Sequence, residues 1–259
     1  MAKGTYAGDT VWIIGASSGI GNALARTLAN AQATLALSAR NAEKLEALSS
    51  ELPGTQFVYP MDVSDTASVS AAAQAIHSKF GDIHRIIFLA AAYEPMTLND
   101  LDLDSVQAML NTNLLGAFNL IEAVLPILSK QRRGQLAMCA SAAGYIGLPG
   151  GQPYSASKAA LINLAESLRT ETPSHIDIKM INPGFVRTPL TEKNDFAMPM
   201  IITPGQAAHA IAKGLHGEAF EIHFPKQFTL PMKLLATLPY ALSLPLLKRI
   251  FGGARKYCE

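Results

Sequence analysis

The feature that most constrains this chain is a short apolar run, residues 11–14, that ends in the glycine-rich turn GASSGIG of residues 15–21. Four apolar residues that stop at a glycine are typical of a buried parallel strand. Alanine and leucine then recur at helical spacing over residues 20–31, which predicts a helix directly after the turn. The chain therefore begins with a strand, a tight turn and a helix.

The same alternation of strand and helix continues along the chain. Further strands are predicted at residues 34–38, 56–60, 85–89, 135–139, 176–181 and 219–224. Further helices are predicted at residues 42–51, 64–80, 105–129, with a bend at Pro126, and 154–171. This order predicts an α/β fold, a Rossmann-like, doubly wound parallel sheet with right-handed crossovers. We expect a single domain over residues 1–225, followed by an apolar C-terminal extension over residues 226–259.

Composition and charge narrow the class of protein. The chain has 259 residues, 49% of them hydrophobic and 16% charged, which excludes general disorder and suits one α/β domain. The formal net charge of +1, without a long basic block, speaks against nucleic-acid binding. Two cysteines, Cys139 and Cys258, make no disulfide framework, and the first ten residues carry no apolar secretory segment. We therefore expect a cytoplasmic protein that is either free or peripheral to a membrane.

The glycines of the first turn suit a phosphate site. Gly15 allows a sharp turn off the strand, Gly19 lets backbone N–H groups approach phosphate oxygens, and Gly21 lets the helix pack close to the sheet. The candidate cofactor residues of the turn are Gly15, Ser17, Ser18, Gly19, Ile20 and Gly21. The letters also fit the G-x-S-x-G elbow of serine hydrolases, but that elbow normally follows several strands and needs a later acid and histidine. A tight turn that binds no ligand is the third alternative.

The end of the second predicted strand indicates which dinucleotide the turn would hold. A carboxylate about twenty positions after the glycines would bind the ribose 2′-hydroxyl of NAD. This chain has Ser38, Ala39 and Arg40 there, so no carboxylate repels a 2′-phosphate and Arg40 can pair with it. NADP(H) is therefore favoured over NAD(H), unless Arg40 is only a solvated residue at the start of the next helix.

Tyr154 and Lys158 form a second constellation, since they lie four residues apart and share one helix face. A free tyrosine has a pKa of roughly 10, and a neighbouring ammonium together with a positive nicotinamide would lower it. The phenol can then protonate a ketone oxygen as hydride arrives, and Ser141, just after the fifth strand, can orient the same oxygen. This spacing also occurs by chance, so the prediction depends on the position of the pair after a strand-end serine.

Two further motifs complete a pattern that resembles a known family. They are NTNLLG at residues 111–116 and NPGFVRT at residues 182–188. With the glycine turn and the tyrosine–lysine pair, they make the chain similar to the short-chain dehydrogenase/reductase family over residues 10–225. The resemblance implies a catalytic tetrad formed by Asn113, Ser141, Tyr154 and Lys158.

The resemblance also assigns roles around the cofactor. The cofactor residues that it adds are Asp62, Val63, Tyr154, Lys158, Val186 and Thr188. The first two would contact the adenine and the last two the nicotinamide carboxamide, while Lys158 would hold the nicotinamide ribose. Asn113 would support a water in the proton relay. We also expect a homo-oligomer, either a dimer or a tetramer.

The chain departs from the family pattern after its fourth strand. The family carries Asn-Asn-Ala-Gly there, whereas this chain has FLAA at residues 88–91. The missing amides remove side-chain hydrogen bonds that would brace the central sheet, and Ala91 adds a methyl group where the backbone passes the cofactor. Ile14 also replaces the usual threonine before the first glycine. We expect these changes to alter the local geometry and to leave the tetrad in place.

The residues that would cover the substrate are apolar. Phe196, Met198 and Met200 can form an adaptable lid, or can pack as ordinary surface residues. Three residues after Ser141 extend the same wall: Tyr145, Ile146 and Leu148. We therefore expect a hydrophobic carbonyl or alcohol as the substrate.

The C-terminal extension is the part least like the family. Residues 228–251 are rich in leucine but contain three prolines and internal charge, which argues against a membrane-spanning helix. Amphipathic segments with Lys233, Lys248 and Arg249 could lie on a membrane surface, cap the substrate pocket or form an oligomer interface.

We expect no metal site. His209, His216 and His223 are evenly spaced, but the last falls in a predicted strand, so solvated or structural positions suit them better than metal ligation. Cys139 falls in the fifth strand, where a core position is expected.

The sequence thus predicts an NADP(H)-dependent oxidoreductase that interconverts a carbonyl and an alcohol on a hydrophobic, lipid-like substrate, with Tyr154 as general acid and base. The alternative from another class is a regulatory protein that keeps the fold and binds NADP(H) but turns nothing over. An intact tetrad favours the enzyme, since a sensor needs only the cofactor site.

Overall fold

One parallel sheet forms the centre of the protein. The computed structural model describes residues 6–96 and 99–251. The strands found there are β1 Thr10–Ile14, β2 Thr34–Ser38, β3 Gln56–Val58, β4 Arg85–Phe88, β5 Gly134–Cys139, β6 Ile176–Pro183 and β7 Glu221–Phe224. They pair in the order β3-β2-β1-β4-β5-β6-β7, and every pair is parallel. The predicted Rossmann-like fold is confirmed, and its topological switch point lies between β1 and β4.

Helices flank the sheet. Those of the described residues are α1 Gly19–Asn30, α2 Ala42–Glu51, α3 Thr66–Phe80, α4 Leu103–Leu110, α5 Gly116–Gln131, α6 Tyr154–Glu171, α7 Pro204–Leu215, α8 Lys226–Thr237 and α9 Tyr240–Phe251. The predicted bounds agree for α2 and α6 and differ by a few residues for the other predicted helices. Helix α7 is not among the predicted elements, although Thr203 and Gln206 form a capping box around Pro204 at its first turn.

The core has two layers because successive strand residues face opposite sides of the sheet. On one side, Val11 and Ile13 pack in a buried cluster with residues of α1 and α7. On the other, Trp12 and Ile14 pack with residues of α3, α5 and α6. Both layers leave the carboxyl ends of the strands uncovered, where loops build the candidate site.

The long helical region predicted over residues 105–129 is interrupted. A π-helical turn, Asn111–Leu115, separates α4 from α5, whereas Pro126 lies inside α5. The irregularity therefore falls at Asn111–Leu115, and π-turns of this kind are frequent at functional sites. By length and composition the segment Leu103–Gln131 could cross a membrane, but 39% of its most apolar window is buried in the protein. Its apolar residues thus supply part of the core.

The apolar extension begins with two helices. Helix α8 buries Thr229, Met232 and Leu235, and helix α9 buries Ser243 and Leu247. The rest of the predicted extension, residues 252–259 with Cys258, lies outside the described residues. The division at residue 225 remains a prediction.

Candidate active site

The glycine turn is shaped by close backbone contacts. Gly15 has φ +94°, and a Cβ atom there would lie 2.7 Å from the backbone nitrogen of Ala90. A Cβ atom at Gly21 would lie 2.1 Å from the carbonyl oxygen of Gly15. Real Cβ atoms do not approach backbone so closely, so both positions require glycine. The turn, the loop after β4 and the first turn of α1 are therefore packed backbone against backbone.

A cleft of about 400 Å³ opens beside this turn. All the predicted cofactor residues line it: Gly15, Ser17, Ser18, Gly19, Ile20, Gly21, Arg40, Asp62, Val63, Tyr154, Lys158, Val186 and Thr188. Helix α1 begins at Gly19, and the side chain of its N-cap residue Ser18 makes no cap hydrogen bond within the described chain. The first N–H groups of the helix can therefore bind an anion. The volume, the glycines and this helix terminus fit a dinucleotide.

The outer end of the cleft combines positive charge with one fixed carboxylate. Arg40 and Lys44 line it, close to the end of β2. Asp62 accepts hydrogen bonds from the Ser64 amide and hydroxyl at 2.9 Å and 2.7 Å. Partial burial raises the pKa of Asp62, but these hydrogen bonds and the charge of Arg40 outweigh it, so the pKa lies below its usual value. Asp62 is thus an anchored anion at neutral pH.

Tyr154 and Lys158 lie in the first turns of α6, at the inner end of the cleft. Lys158 is 1% exposed, and its Nζ donates a hydrogen bond to the Cys139 carbonyl at 2.9 Å. The same Nζ lies 5.5 Å from the centroid of the Tyr154 ring. The Ser141 hydroxyl lines the cleft beside the Tyr154 phenol and accepts a hydrogen bond from the Ala143 amide at 3.1 Å. Phenol, ammonium and serine hydroxyl therefore lie together at one corner of the cleft.

In the protein alone, the pKa of Tyr154 is raised. Burial raises this pKa well above its usual value, and the hydrogen bond from Ser141 lowers it only in part. Burial also lowers the pKa of Lys158. The sequence predicts a phenol pKa lowered by the ammonium together with a positive nicotinamide; in the protein alone, desolvation of the phenol is the larger effect. In the protein alone Tyr154 is a protonated phenol at neutral pH.

Asn113 lies behind this corner, in the π-turn, and is completely buried. Its Oδ1 accepts a hydrogen bond from the Ala92 amide at 2.7 Å, and its Nδ2 donates to the Ala92 carbonyl at 3.0 Å. Nδ2 also donates to Ser157 Oγ at 3.0 Å. Both amide donors are thus used by the protein, which leaves one lone pair of Oδ1 for a water. Asn113 joins the loop after β4 to α6.

The hydrogen bonds between Asn113 and Ala92 lie next to residues 88–91, where the sequence differs from the family pattern. Phe88 is fully buried in the core, and the Leu89 amide donates to the Ile14 carbonyl at 2.8 Å. Ala90 and Ala91 line the cleft next to the glycine turn. Backbone hydrogen bonds therefore brace the sheet here, and Asn113 holds the loop that follows through Ala92. The effect of Ala91 on the cofactor remains a prediction.

A second cavity, of about 270 Å³, adjoins the cleft and shares Ser141 and Tyr154 with it. Its walls are largely apolar and aromatic: Tyr93, Leu148, Phe185, Phe196, Phe228, Ile250 and Phe251. The Phe185 ring lies 6.0 Å from the Phe196 ring and 5.2 Å from the Phe228 ring, between centroids. We call this cavity the aromatic pocket.

The walls of the aromatic pocket were only partly predicted. Phe196 and Leu148 line it, but Met198 and Met200 do not belong to its lining among the described residues, and Met200 is 52% exposed. Ile146 also lies outside the lining described here, and Tyr145 is directed to Glu221 instead. Apolar character alone did not separate wall residues from surface residues. Phe228, Ile250 and Phe251 are in the lining, so the extension caps the pocket, one of the alternatives left open above.

A partly buried carboxylate connects the extension to the sheet. Glu221, at the start of β7, accepts hydrogen bonds from Tyr145 at 2.5 Å and from Asn182 at 2.7 Å. It also forms an ion pair with Lys233 of α8. Burial raises the Glu221 pKa, but the hydrogen bonds from Lys233, Tyr145 and Asn182 together lower it below its usual value. This cluster was not predicted, because its members come from four separate segments.

Two of the three evenly spaced histidines have protein partners, whereas His209 is exposed. The His216 ring packs against Tyr6 at an interplanar angle of 55° with ring centroids 4.2 Å apart, and His223 Nδ1 lies 2.7 Å from Thr229 Oγ1. Within residues 6–96 and 99–251, no group of three or more metal-ligating side chains is found. Cys139 is buried at the end of β5, as expected for a core residue.

Curated relatives cover most of the chain. An uncharacterized oxidoreductase of Myxococcus xanthus is 31% identical over 92% of this chain and 95% of its own length. A 3-oxoacyl-[acyl-carrier-protein] reductase FabG of Thermotoga maritima is 32% identical, over 72% of this chain and 77% of the reductase. An NADP-dependent 3-hydroxy acid dehydrogenase of Schizosaccharomyces pombe is 35% identical, over 70% of this chain and 73% of the dehydrogenase.

Solved structures of oxidoreductases superpose on this chain. An alcohol dehydrogenase of Thermococcus sibiricus complexed with 5-hydroxy-NADP superposes with a TM-score of 0.76 at 26% identity, over 83% of this chain and 95% of its own. A short chain dehydrogenase/reductase of Burkholderia phymatum in complex with NAD gives a TM-score of 0.83 at 19% identity, over 98% and 99%. The sequence profile of the short chain dehydrogenases matches residues 9–198. The chain therefore belongs to the short-chain dehydrogenase/reductase family of oxidoreductases.

Proposed function

We propose that this protein is an NADP(H)-dependent oxidoreductase that interconverts a carbonyl and an alcohol on a hydrophobic substrate. The observation that carries the proposal is that Ser141 and Tyr154 line both the cofactor cleft and the aromatic pocket. A group bound in the aromatic pocket can thus reach a phenol and a serine hydroxyl at the border with the cleft. Family membership already assigns oxidoreductase chemistry at alcohol and carbonyl groups.

The proton would come from Tyr154. Because burial keeps the phenol protonated, it can act as the acid that neutralises an alkoxide as it forms. Ser141 can donate a hydrogen bond to the same oxygen and orient it. Lys158, with its Nζ near the Tyr154 ring, stabilises the tyrosinate that remains. A bound NADPH supplies the hydride, so one hydride and one proton convert the carbonyl to an alcohol.

The 2′-phosphate would be bound at the outer end of the cleft. Arg40 and Lys44 bring two cations to the end of β2, and Asp62 lies beyond β3 and is held by Ser64. A guanidinium pairs well with a phosphate, and no carboxylate follows directly on β2. The 5-hydroxy-NADP complex of the 26% identical alcohol dehydrogenase supports the same choice.

The substrate would be apolar. The ring contacts of Phe185, Phe196 and Phe228 give the pocket a wall suited to an aliphatic or aromatic ketone.

The protein would be a cytoplasmic homo-oligomer. Three apolar side chains around α4 and α5 are about half exposed or more, namely Leu103, Leu115 and Phe118. Their exposure supports an interface between copies of the chain. Size-exclusion chromatography with light scattering would measure whether the species is a dimer or a tetramer.

The experiment is a panel of ketones and aldehydes that range from short and polar to long and apolar, assayed with NADPH and with NADH. We expect turnover with NADPH that rises in kcat/KM with the apolar length of the ketone. NADPH binding without turnover of any member would contradict the enzymatic proposal and favour a cofactor-binding regulatory protein. Tighter binding of NADH would contradict the assignment of NADP(H).

A further inference from the structure

We propose that the exposed side of α8 and α9 is a docking surface for an anionic lipid bilayer, and that the aromatic pocket takes its substrate from that bilayer. We call the exposed apolar side chains of these two helices the C-terminal apolar surface. The docking stands on its own observations. The uptake of substrate rests on the function proposed above.

The C-terminal apolar surface reverses the usual pattern of a surface helix. Its members are Leu230, Leu234, Tyr240, Leu242, Leu244, Leu246 and Ile250, which are 40% to 78% exposed. Leu242, Leu246 and Ile250 lie at i, i+4 and i+8 and so share one face of α9. The side that faces the protein is smaller and is marked by Ser243 and Leu247. A surface helix normally turns its polar face to water, and large exposed apolar patches mark contact sites.

The positive charge of these two helices indicates that the partner of the C-terminal apolar surface is an anionic bilayer. Residues 226–251 contain four cations and no acidic residue, although the whole chain has a formal net charge of only +1. Lys233 forms an ion pair with Glu221, whereas Lys226, Lys248 and Arg249 are exposed. Apolar side chains bordered by lysine and arginine suit the interface of a bilayer that contains anionic lipids. A second copy of this surface would instead bring like charges together.

The same helices form the outer wall of the aromatic pocket. Ile250 is 56% exposed and also lines the pocket, and Phe251 and Phe228 line it beside Ile250. One side chain thus borders both the C-terminal apolar surface and the cavity that ends at Tyr154. A ketone dissolved in the bilayer would meet the pocket without crossing water, which suits an apolar substrate of low solubility.

The docking test uses the full chain and vesicle flotation. Vesicles are phosphatidylcholine alone or with about one-third phosphatidylserine. We expect flotation with the anionic vesicles that weakens in salt. The double variant Lys248→Gln/Arg249→Gln should partition roughly thirtyfold more weakly, from the attraction of two basic residues to anionic lipid. Its matched control is Arg132→Gln/Arg133→Gln, another exposed adjacent pair of cations, which should float like the unchanged protein.

The apolar part is tested by Leu234→Gln/Leu242→Gln/Leu246→Gln, with Leu101→Gln/Leu103→Gln/Leu115→Gln as the control. Because Leu103 and Leu115 lie at the proposed interface between copies, the two variants are compared with the unchanged protein at a protein concentration at which all three have the same oligomeric state. The first triple variant should lose flotation by at least about tenfold and the control should keep it. Equal flotation of the two, or no flotation of the unchanged protein, would overturn the docking proposal. A vesicle-free dimer that only the first triple variant breaks would overturn it too, because a second copy would then be the occupant.

Substrate uptake is tested with the same variants and two ketones. The first triple variant should reduce a short soluble ketone at the unchanged rate and a vesicle-embedded ketone about tenfold more slowly, as its binding to the vesicles falls. Equal rates on the embedded ketone would contradict uptake from the bilayer. If the unchanged protein reduces neither ketone yet still floats, the proposed function fails while the docking surface stands.

Discussion

The cofactor cleft and the pair α8–α9 are built by opposite means. In the cleft, backbone lies against backbone, since a Cβ atom at Gly21 would meet the Gly15 carbonyl at 2.1 Å. Behind the cleft, the buried Asn113 side chain holds both backbone groups of Ala92. In α8 and α9 few positions are so constrained, and leucines such as Leu234 and Leu242 are left largely exposed. The cleft is therefore held by contacts within the chain, whereas the exposed leucines of α8 and α9 leave apolar surface available for contacts outside it.

The largest effect is expected at the border of the two regions. Tyr154→Phe removes the phenol oxygen and keeps the ring, which lies 5.1 Å from Tyr93 between centroids. General acid catalysis contributes roughly 10²- to 10⁴-fold, so kcat should fall by about a thousandfold. Stopped-flow fluorescence should find the Kd of NADPH nearly unchanged. Full turnover in this variant would remove Tyr154 from the mechanism.

A substitution in the glycine turn tests the constraint in the cleft. Gly21→Ala places a methyl group against the Gly15 carbonyl, so we expect about 1–3 kcal/mol of lost stability and about tenfold weaker NADPH binding. The matched control is Gly205→Ala in the first turn of α7, where the nearest atom to a new Cβ lies 4.0 Å away. Urea unfolding and NADPH titration would compare the two. Equal effects at both glycines would mean that the turn tolerates a side chain.

A charge removal tests the outer end of the cleft. Arg40→Ala should weaken NADPH binding about tenfold and leave NADH binding unchanged, because only NADPH carries the 2′-phosphate. Arg26→Ala removes an exposed guanidinium that is paired with Glu51 instead, and it serves as the control. Isothermal titration calorimetry gives both constants. A loss of NADH affinity equal to that for NADPH would show that Arg40 does not read the 2′-phosphate.

The smallest effect is expected where α8 is attached to the sheet. Lys233→Met removes the partner of Glu221, so the Tm should fall by about 2–4 °C at neutral pH. Because the Glu221 pKa is lowered in the folded protein, its stabilisation is present above the usual pKa near 4.5 and is lost as the pH falls below it. The Tm difference between the variant and the unchanged protein should therefore shrink in acid. Lys226→Met, on the exposed side of α8, should show neither change.

The fold and the catalytic corner could be predicted because their signals are local. The strand at Thr34–Ser38 and the helix at Tyr154–Glu171 have the predicted bounds, since an apolar run and a proline mark their ends. Glycine spacing likewise located the turn. Every predicted cofactor residue lines one cleft, and this agreement depends on the family pattern as much as on spacing.

What could not be predicted depends on contacts between distant segments. Phe185, Phe228 and Phe251 meet in the aromatic pocket from three separate parts of the chain, and no spacing relates them. The raised Tyr154 pKa follows from burial, which sequence does not measure. The π-turn at Asn111–Leu115 has no local signal, and Pro126, which has one, lies inside a continuous helix.

The most direct test of the central proposal is deuterium transfer. NADPH labelled with deuterium at the reactive ring carbon is incubated with the protein and a long-chain ketone, and the product is analysed by mass spectrometry. We predict an alcohol with one deuterium on its carbinol carbon, formed about a thousandfold more slowly by Tyr154→Phe. Bound NADPH with no deuterium in any product of the ketone panel would contradict the account.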